Sequence, residues 1–185
     1  KIKLLDDYLG GDGIRRKELL LLSANSGGGK SLVMANLGLN FSEQQLIVLY
    51  ITLELPVEMI QKRYTSMVTD IPQGEILNRG TEVVHKIKHA EATHGAIYIE
   101  QMPVGTTANQ IRAFLREFEI KNKCVPDVLI VDYLDLMGAN SAVSAENVFE
   151  KDKQSTEQLR QIIIDYDMIG VTSSQQNRTA ATADA

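Results

Sequence analysis

The run Ala24-Asn25-Ser26-Gly27-Gly28-Gly29-Lys30-Ser31 could do one kind of chemistry: it could hold the phosphates of a nucleoside triphosphate and its magnesium ion. Small residues let successive backbone N–H groups turn inward toward phosphate oxygens. A Lys reaches the β- and γ-phosphates, and a Ser or Thr hydroxyl reaches the metal. Gly27, Gly28 and Gly29 supply the close approach, Lys30 the charge and Ser31 the hydroxyl. Ala24 stands where such loops usually begin with Gly, which is tolerable if that position keeps a negative φ. A plain Gly-rich turn is the bland alternative, and the Lys-Ser ending argues against it.

Phosphoryl transfer needs more than a cradle. It needs an acid beside the magnesium, a group that orients the attacking water and something that senses the γ-phosphate. Ligands of open α/β sheets sit at the carboxyl ends of strands. Three polar residues fall at such ends: Glu54 after Tyr50-Ile51-Thr52-Leu53, Asp132 after Val128-Leu129-Ile130-Val131, and Gln175 after Thr172-Ser173-Ser174. Asp132 is read as the magnesium-side carboxylate, Glu54 as the candidate base and Gln175 as the candidate sensor. Each has a plainer reading: a strand-end Asp can be a turn residue, and Glu54 can simply lead into a helix at Pro56.

The elements that must position these residues are legible as an alternation. Apolar runs suited to buried parallel strands read as Leu19 to Ser23, Leu46 to Thr52, Ala96 to Glu100, Val128 to Asp132 and Ile169 to Ser174. Between them lie helical stretches: Lys30 to about Leu39, one from Pro56 with Val57, Ile60, Tyr64 and Met67 along one side, and Glu82 to Thr93. Thr106 or Thr107 could cap another, whose Ile111, Phe114, Leu115 and Phe118 share a face. Glu146 to Asp167 reads as largely helical, and Asp70 to Gly80 as a loop with at most a helical turn. The pattern predicts an α/β fold, a mostly parallel sheet with helices on both faces.

The totals fit one such domain. The chain has 185 residues, 44% hydrophobic, and a formal net charge of −5, which argues against coating nucleic acid through a broad basic face. The single Cys124 precludes an internal disulfide framework and a Cys-based zinc site, which favours a reducing, cytoplasmic setting. No apolar run approaches the ~20 residues a membrane helix needs. Other features are read plainly. His85 and His89 could share a helix face but lack a carboxylate or Cys at matching spacing. Arg15-Arg16-Lys17 is read as a solvated turn, and Arg112, Arg116, Lys121 and Lys123 as an exposed helix face. Phe41, Phe114 and Phe118 are read as core, not as base-stacking platforms.

Four segments in order carry a resemblance: Gly10 to Leu19 before the loop, Tyr50-Ile51-Thr52-Leu53-Glu54, Leu129 to Met137, and Ser173-Ser174-Gln175-Gln176-Asn177-Arg178. They resemble the motifs of the DnaB-type, RecA-fold replicative helicases. With Pro126-Asp127 and Glu100 to Gly105, the match is nearest to those of T-even-type bacteriophages. The resemblance spans nearly the whole chain and implies a RecA-like P-loop NTPase core over residues 1–185, truncated after the last motif strand and without a collar domain. It implies a homo-hexamer that hydrolyses ATP between subunits and moves 5′→3′ on single-stranded DNA at a replication fork in a phage-infected host cell. A primase and a helicase loader are the implied partners. Lys30 and Ser31 would bind phosphate and magnesium, Glu54 would activate water, Asp132 would hold magnesium through water, and Gln175 would report the γ-phosphate state. The DNA loops would be Gly138 to Phe149 and the residues after Asn177. The family's arginine finger, worth ~10³–10⁵ in rate in related NTPases, would come from beyond this chain. Arg178 matches the motif's own Arg and is not that finger, so the chain alone is expected to hydrolyse ATP poorly.

Rival readings share parts of this set. A RecA-like recombinase or signalling ATPase would have the same loop, base and strand-end Asp, and is separated by strand displacement on a forked substrate. A small-molecule kinase would call for an Arg-rich lid. A non-catalytic nucleotide-binding module would not need Lys30, Ser31, Glu54 and Asp132 together.

Overall fold

The computed structural model describes residues 7, 11, 13–140 and 148–175. The described elements run β1 (Leu19–Ala24), α1 (Lys30–Ser42), β2 (Val48–Thr52), α2 (Val57–Thr69), α3 (Gly80–Glu91), β3 (Ile97–Gln101), α4 (Ala108–Asn122), β4 (Val128–Asp132), α5 (Val148–Asp165) and β5 (Ile169–Gln175). A 3-10 turn over Leu134–Leu136, which periodicity does not signal, follows β4. The strands form one parallel sheet in the order β1-β5-β4-β2-β3. Boundaries shift slightly from the sequence expectation. α1 runs three residues past Leu39 because Leu39 and Ser42 are still buried, and β3 begins and ends one residue later than Ala96 to Glu100.

Strand alternation divides the core in two. Val48 and Tyr50 of β2, with Val128 and Ile130 of β4, face α1 and α2 and pack with Met34, Ala35, Leu37, Ile60 and Tyr64. Leu49, Ile51, Leu129 and Val131 face α4 and α5 and pack with Ile111, Leu115, Phe118, Leu159 and Ile162. β2 and β4 are buried along their whole length, as continuous aliphatic runs predict. β1 is only partly buried, because among the described residues it lies at the border of the sheet, and Leu21 is 46% exposed. Phe118 is core and Phe114 is partly buried against its cluster, while Phe41 is partly buried against the cluster on the other face.

Local signals fix the helix starts. Thr107, not Thr106, caps α4 through a reciprocal pair: its hydroxyl accepts from Gln110 N–H at 3.4 Å, and Gln110 Oε1 accepts from Thr107 N–H at 2.8 Å. Thr106 instead donates to the Pro103 carbonyl at 2.6 Å. Helices α1 and α2 meet at Gly38, where an added Cβ would lie 2.2 Å from the Tyr64 hydroxyl and 3.1 Å from Ile130 Cδ1. Gly38→Ala is therefore expected to overpack this contact and cost about 1–3 kcal/mol, read as the midpoint of chemical denaturation. An unchanged midpoint would show that the Tyr64 ring yields without penalty.

The basic turn before β1 is more than solvated. Arg16 pairs with Asp127 and donates to the Asp167 carbonyl at 2.7 Å, while the other Asp127 oxygen accepts from Ile47 N–H at 2.9 Å. Arg16 thus ties together the amino ends of β2, β4 and β5, a role no local pattern shows. Arg112 likewise reaches across to Asp165 of α5 at 2.6 Å instead of standing free on an exposed face.

Candidate phosphate and magnesium site

The loop leaves β1 at Ala24 and enters α1 at Lys30, and its shape follows from its glycines. Gly27 and Gly29 have φ of +74° and +78°, which residues with a Cβ rarely adopt. At Gly28 the constraint is space, since a Cβ there would sit 2.9 Å from the Asn25 carbonyl. That carbonyl accepts from Gly28 N–H at 3.0 Å and closes the turn. Ala24 ends a strand in extended backbone, so a methyl group costs nothing there. Among the described residues no side chain caps α1, and its first turn carries no acid. Its free N–H groups and the positive end of its dipole therefore face the loop, the arrangement that attracts an anion.

Lys30 folds back over the loop and donates to the carbonyls of Ala24 at 2.8 Å and Asn25 at 3.2 Å. Ala24 and Asn25 thus frame the cradle. Ser26, Gly27, Gly28, Gly29, Lys30 and Ser31 line a cavity of about 280 Å³ together with Glu54, Arg63, Tyr133 and Gln175. Two of the three strand-end residues named from sequence meet the loop there.

The third, Asp132, lies just behind. Its side chain is 1% exposed; Oδ1 accepts from the Ser31 hydroxyl at 3.2 Å and Oδ2 from the Tyr50 hydroxyl at 2.7 Å. Alternation explains the meeting: Asp132, Ile130 and Tyr50 all point to the α1 face of the sheet. Burial first, and then the charge of Asp132 and the hydrogen bond to it, push the Tyr50 phenol far above its ordinary range, so it stays a donor. Tyr64, packed edge-on against Tyr50 with centroids 6.2 Å apart, is raised by burial and by Asp132 too. A hydroxyl and a carboxylate oxygen side by side are hard oxygen donors of the kind magnesium takes while keeping several waters. Ser31 and Asp132 therefore fit that ion.

Glu54 stands on a tight bend. The Thr52 hydroxyl donates to the Leu55 carbonyl at 2.9 Å and accepts from Leu55 N–H at 3.0 Å, and Leu53 N–H is anchored to the Asp132 carbonyl at 2.8 Å. The bend holds the exposed Glu54 carboxylate over the cavity. Gln175 is held from below: its backbone N–H donates to Asp135 Oδ2 at 2.6 Å, and the Ser174 hydroxyl to Asp135 Oδ1 at 2.8 Å. Asp135 sits in the short turn after β4, whose carbonyl also accepts from Lys151 of α5 at 2.7 Å. One carboxylate thus joins the segment after Asp132 to the end of β5.

Four contributors escaped the sequence reading: Tyr50, Arg63, Tyr133 and Asp135. Arg63 lies two turns into α2, and its Nη1 is buried without a hydrogen-bond partner among the described residues. A guanidinium group left so beside a phosphate cradle is suited to an anion. The Tyr133 phenol is raised by burial and then by the nearby Glu54, Asp135 and Asp132 charges. For Tyr50 a signal did exist, a phenol in the middle of a buried strand, which must find a polar partner. Of the expected DNA loops, 141–147 and the residues after Gln175, Arg178 among them, lie outside the described residues.

This fold and this site define a P-loop ATPase-type α/β domain of the RecA-like class. The sequence profile of the DnaB-like helicase C terminal domain matches residues 1–184, and the chain belongs to that family. It is 28% identical over 187 residues to the DnaB-like replicative helicase of Enterobacteria phage T4, a match covering 97% of this chain and 39% of that protein. A solved DnaB-like replicative helicase, studied with its interactions with primase, superposes with a TM-score of 0.77 at 20% identity, over 94% of this chain and 42% of its own. A solved ATPase domain gives 0.77 at 19% identity, over 93% of this chain and 62% of its own. The chain therefore spans well under half the length of the helicases it matches. Among the described residues no helix is long and apolar enough to cross a membrane.

Proposed function

We propose that the chain is the ATP-hydrolysing motor domain of a replicative DNA helicase, which moves 5′→3′ on single-stranded DNA and displaces the opposite strand. The observation that carries this reading is the meeting of the loop residues with Glu54 and Gln175 in one cavity, with Asp132 bonded to Ser31 behind it. Family membership selects the helicase branch over a recombinase or a kinase.

In this reading the backbone N–H groups of the loop and the amine of Lys30 bind the β- and γ-phosphates. Ser31 and Asp132 would hold magnesium, which supplies charge neutralisation at the phosphate oxygens. Glu54 orients a water for in-line attack on the γ-phosphorus and takes its proton as the β–γ bridging oxygen leaves with ADP. Arg63 turns its unpartnered guanidinium nitrogen toward the phosphate charge. Gln175 sits where loss of the γ-phosphate changes what it can bond, and Asp135 transmits that change to the segment after β4. The working assembly is a homo-hexamer in the cytoplasm of a phage-infected bacterium, with a helicase loader and a primase as partners. The solved DnaB-like replicative helicase studied with its interactions with primase supports the primase as a partner.

Arg63→Ala is expected to lower kcat/KM for ATP by about 10- to 100-fold, the loss of one charge-assisted hydrogen bond. Steady-state ATPase kinetics read it, and an unchanged value would remove Arg63 from the site. The function itself is tested with the whole protein that carries this domain, on forked duplexes bearing a single 5′ or 3′ tail, with ATPase rates measured in parallel. Displacement of the 5′-tailed fork, with ATPase stimulated by single-stranded DNA, is expected. Strand exchange without displacement would refute the helicase reading.

A further inference from the structure

We propose that Tyr50 is a positioning residue for the magnesium-side carboxylate, its phenol fixing from within the core the Asp132 orientation that meets Ser31. The inference rests on the assignment of Asp132 to magnesium.

A carboxylate that is 1% exposed is costly unless its oxygens are hydrogen-bonded. The two oxygens of Asp132 have donors of different origin. Ser31 belongs to the loop and to the ligand side, and its bond to Oδ1 is the longer, at 3.2 Å. Tyr50 comes from the interior, and its bond to Oδ2 is the shorter, at 2.7 Å. The Tyr50 bond does not depend on what the loop holds, so it can set the carboxylate plane while Ser31 and Oδ1 serve the metal.

Register makes the reach possible. Tyr50 lies opposite Ile130 and Thr52 opposite Asp132, so Tyr50 and Asp132 are diagonal neighbours on one face. A diagonal neighbour on an adjacent strand is within reach of an aromatic side chain. The shorter Thr52 side chain is engaged with Leu55 instead.

Tyr50 cannot swing away. It is fully buried and meets the Tyr64 ring edge-on at 86°. Tyr64 is in turn wedged against Gly38 of α1, where there is no room for a Cβ. The donor is thus locked by both helices that flank the cavity, α1 with the loop and α2 with Arg63. A Phe at position 50 would fill the same space and leave Oδ2 without a partner, freeing the carboxylate to rotate.

The test is a magnesium titration of a fluorescent ADP analogue bound to the wild-type protein and to Tyr50→Phe, Tyr64→Phe and Asp132→Asn. Tyr50→Phe should leave affinity without magnesium unchanged and raise the magnesium concentration for half effect about tenfold, as loss of a partner behind a metal ligand does. Tyr64→Phe removes a hydroxyl that has no hydrogen-bond partner among the described residues. It should titrate like wild type, which separates positioning from general loosening of the core. If Asp132→Asn abolishes the magnesium effect while Tyr50→Phe titrates like wild type, the positioning role is overturned and the magnesium assignment stands. If Asp132→Asn keeps the magnesium effect, the assignment fails and the inference falls with it. Should Tyr50→Phe not fold, a structure of the unaltered protein with ADP and magnesium decides. The Tyr50 hydroxyl should still donate to Asp132 Oδ2 with the metal on the Oδ1 and Ser31 side, and a Tyr50 hydroxyl parted from Asp132 in that complex would overturn the proposal.

Discussion

Replacing Glu54 by Gln is expected to cut ATP turnover by about 10²–10⁴-fold, the usual contribution of a positioned general base, while leaving nucleotide affinity near wild type. The geometry requires this split. Glu54 lines the cavity but sits on the Thr52–Leu55 bend, apart from the loop whose N–H groups and Lys30 would hold phosphate. Gln keeps the size and one acceptor oxygen but cannot take a proton. Because the side chain is exposed and the bend is built by Thr52, the substitution should not disturb folding. Single-turnover hydrolysis beside equilibrium binding of a fluorescent nucleotide reads both quantities. Turnover at the wild-type rate would remove Glu54 from the base role, and parallel loss of binding would make it a structural residue.

Lys30→Ala should have the opposite signature, with affinity for ATP falling by about 100-fold through loss of a charge-assisted contact to phosphate. Among the described residues its amine bonds only backbone carbonyls of its own loop, at Ala24 and Asn25, so the fold does not hang on it. The unfolding midpoint should therefore stay near wild type while nucleotide binding collapses. Binding retained at wild-type strength would mean that the loop amides alone hold the phosphates and that Lys30 has another purpose.

What the sequence disclosed follows a physical line. β4 was legible to the residue, because Val128 to Val131 is buried on both faces and Asp132 ends the run abruptly. The loop was legible because its chemistry is local: three glycines, a Lys and a Ser in unbroken order meet the backbone demands of a phosphate cradle. The α/β class and the parallel sheet followed from the alternation of runs. The strand order did not, since β1 pairs with β5 and not with β2, through contacts about 150 residues apart that no window of sequence contains.

The hidden residues share one property: each acts through a neighbour that only folding supplies. No local pattern marks Arg63, and only the docking of α2 beside the loop brings it to the cavity. Asp135 lay inside a motif noted for its resemblance, yet its clamp on Ser174 and Gln175 depends on the turn after β4 meeting the end of β5. Tyr50 read as a strand residue, and its bond to Asp132 depends on the β2–β4 register. Arg16, read as solvated, pairs with Asp127 because the sheet brings the amino ends of its strands together beneath it.

In the proposed reading a single phosphate site is assembled from the loop and three strand ends. A structure determined with a non-hydrolysable ATP analogue and magnesium tests it most directly. The triphosphate should be wrapped by Ser26 to Ser31, with the metal beside Ser31 and Asp132 and with Glu54, Arg63 and Gln175 facing the γ-phosphate. A triphosphate bound elsewhere, or bound at the loop with Glu54 and Gln175 turned away from its terminal phosphate, would contradict it.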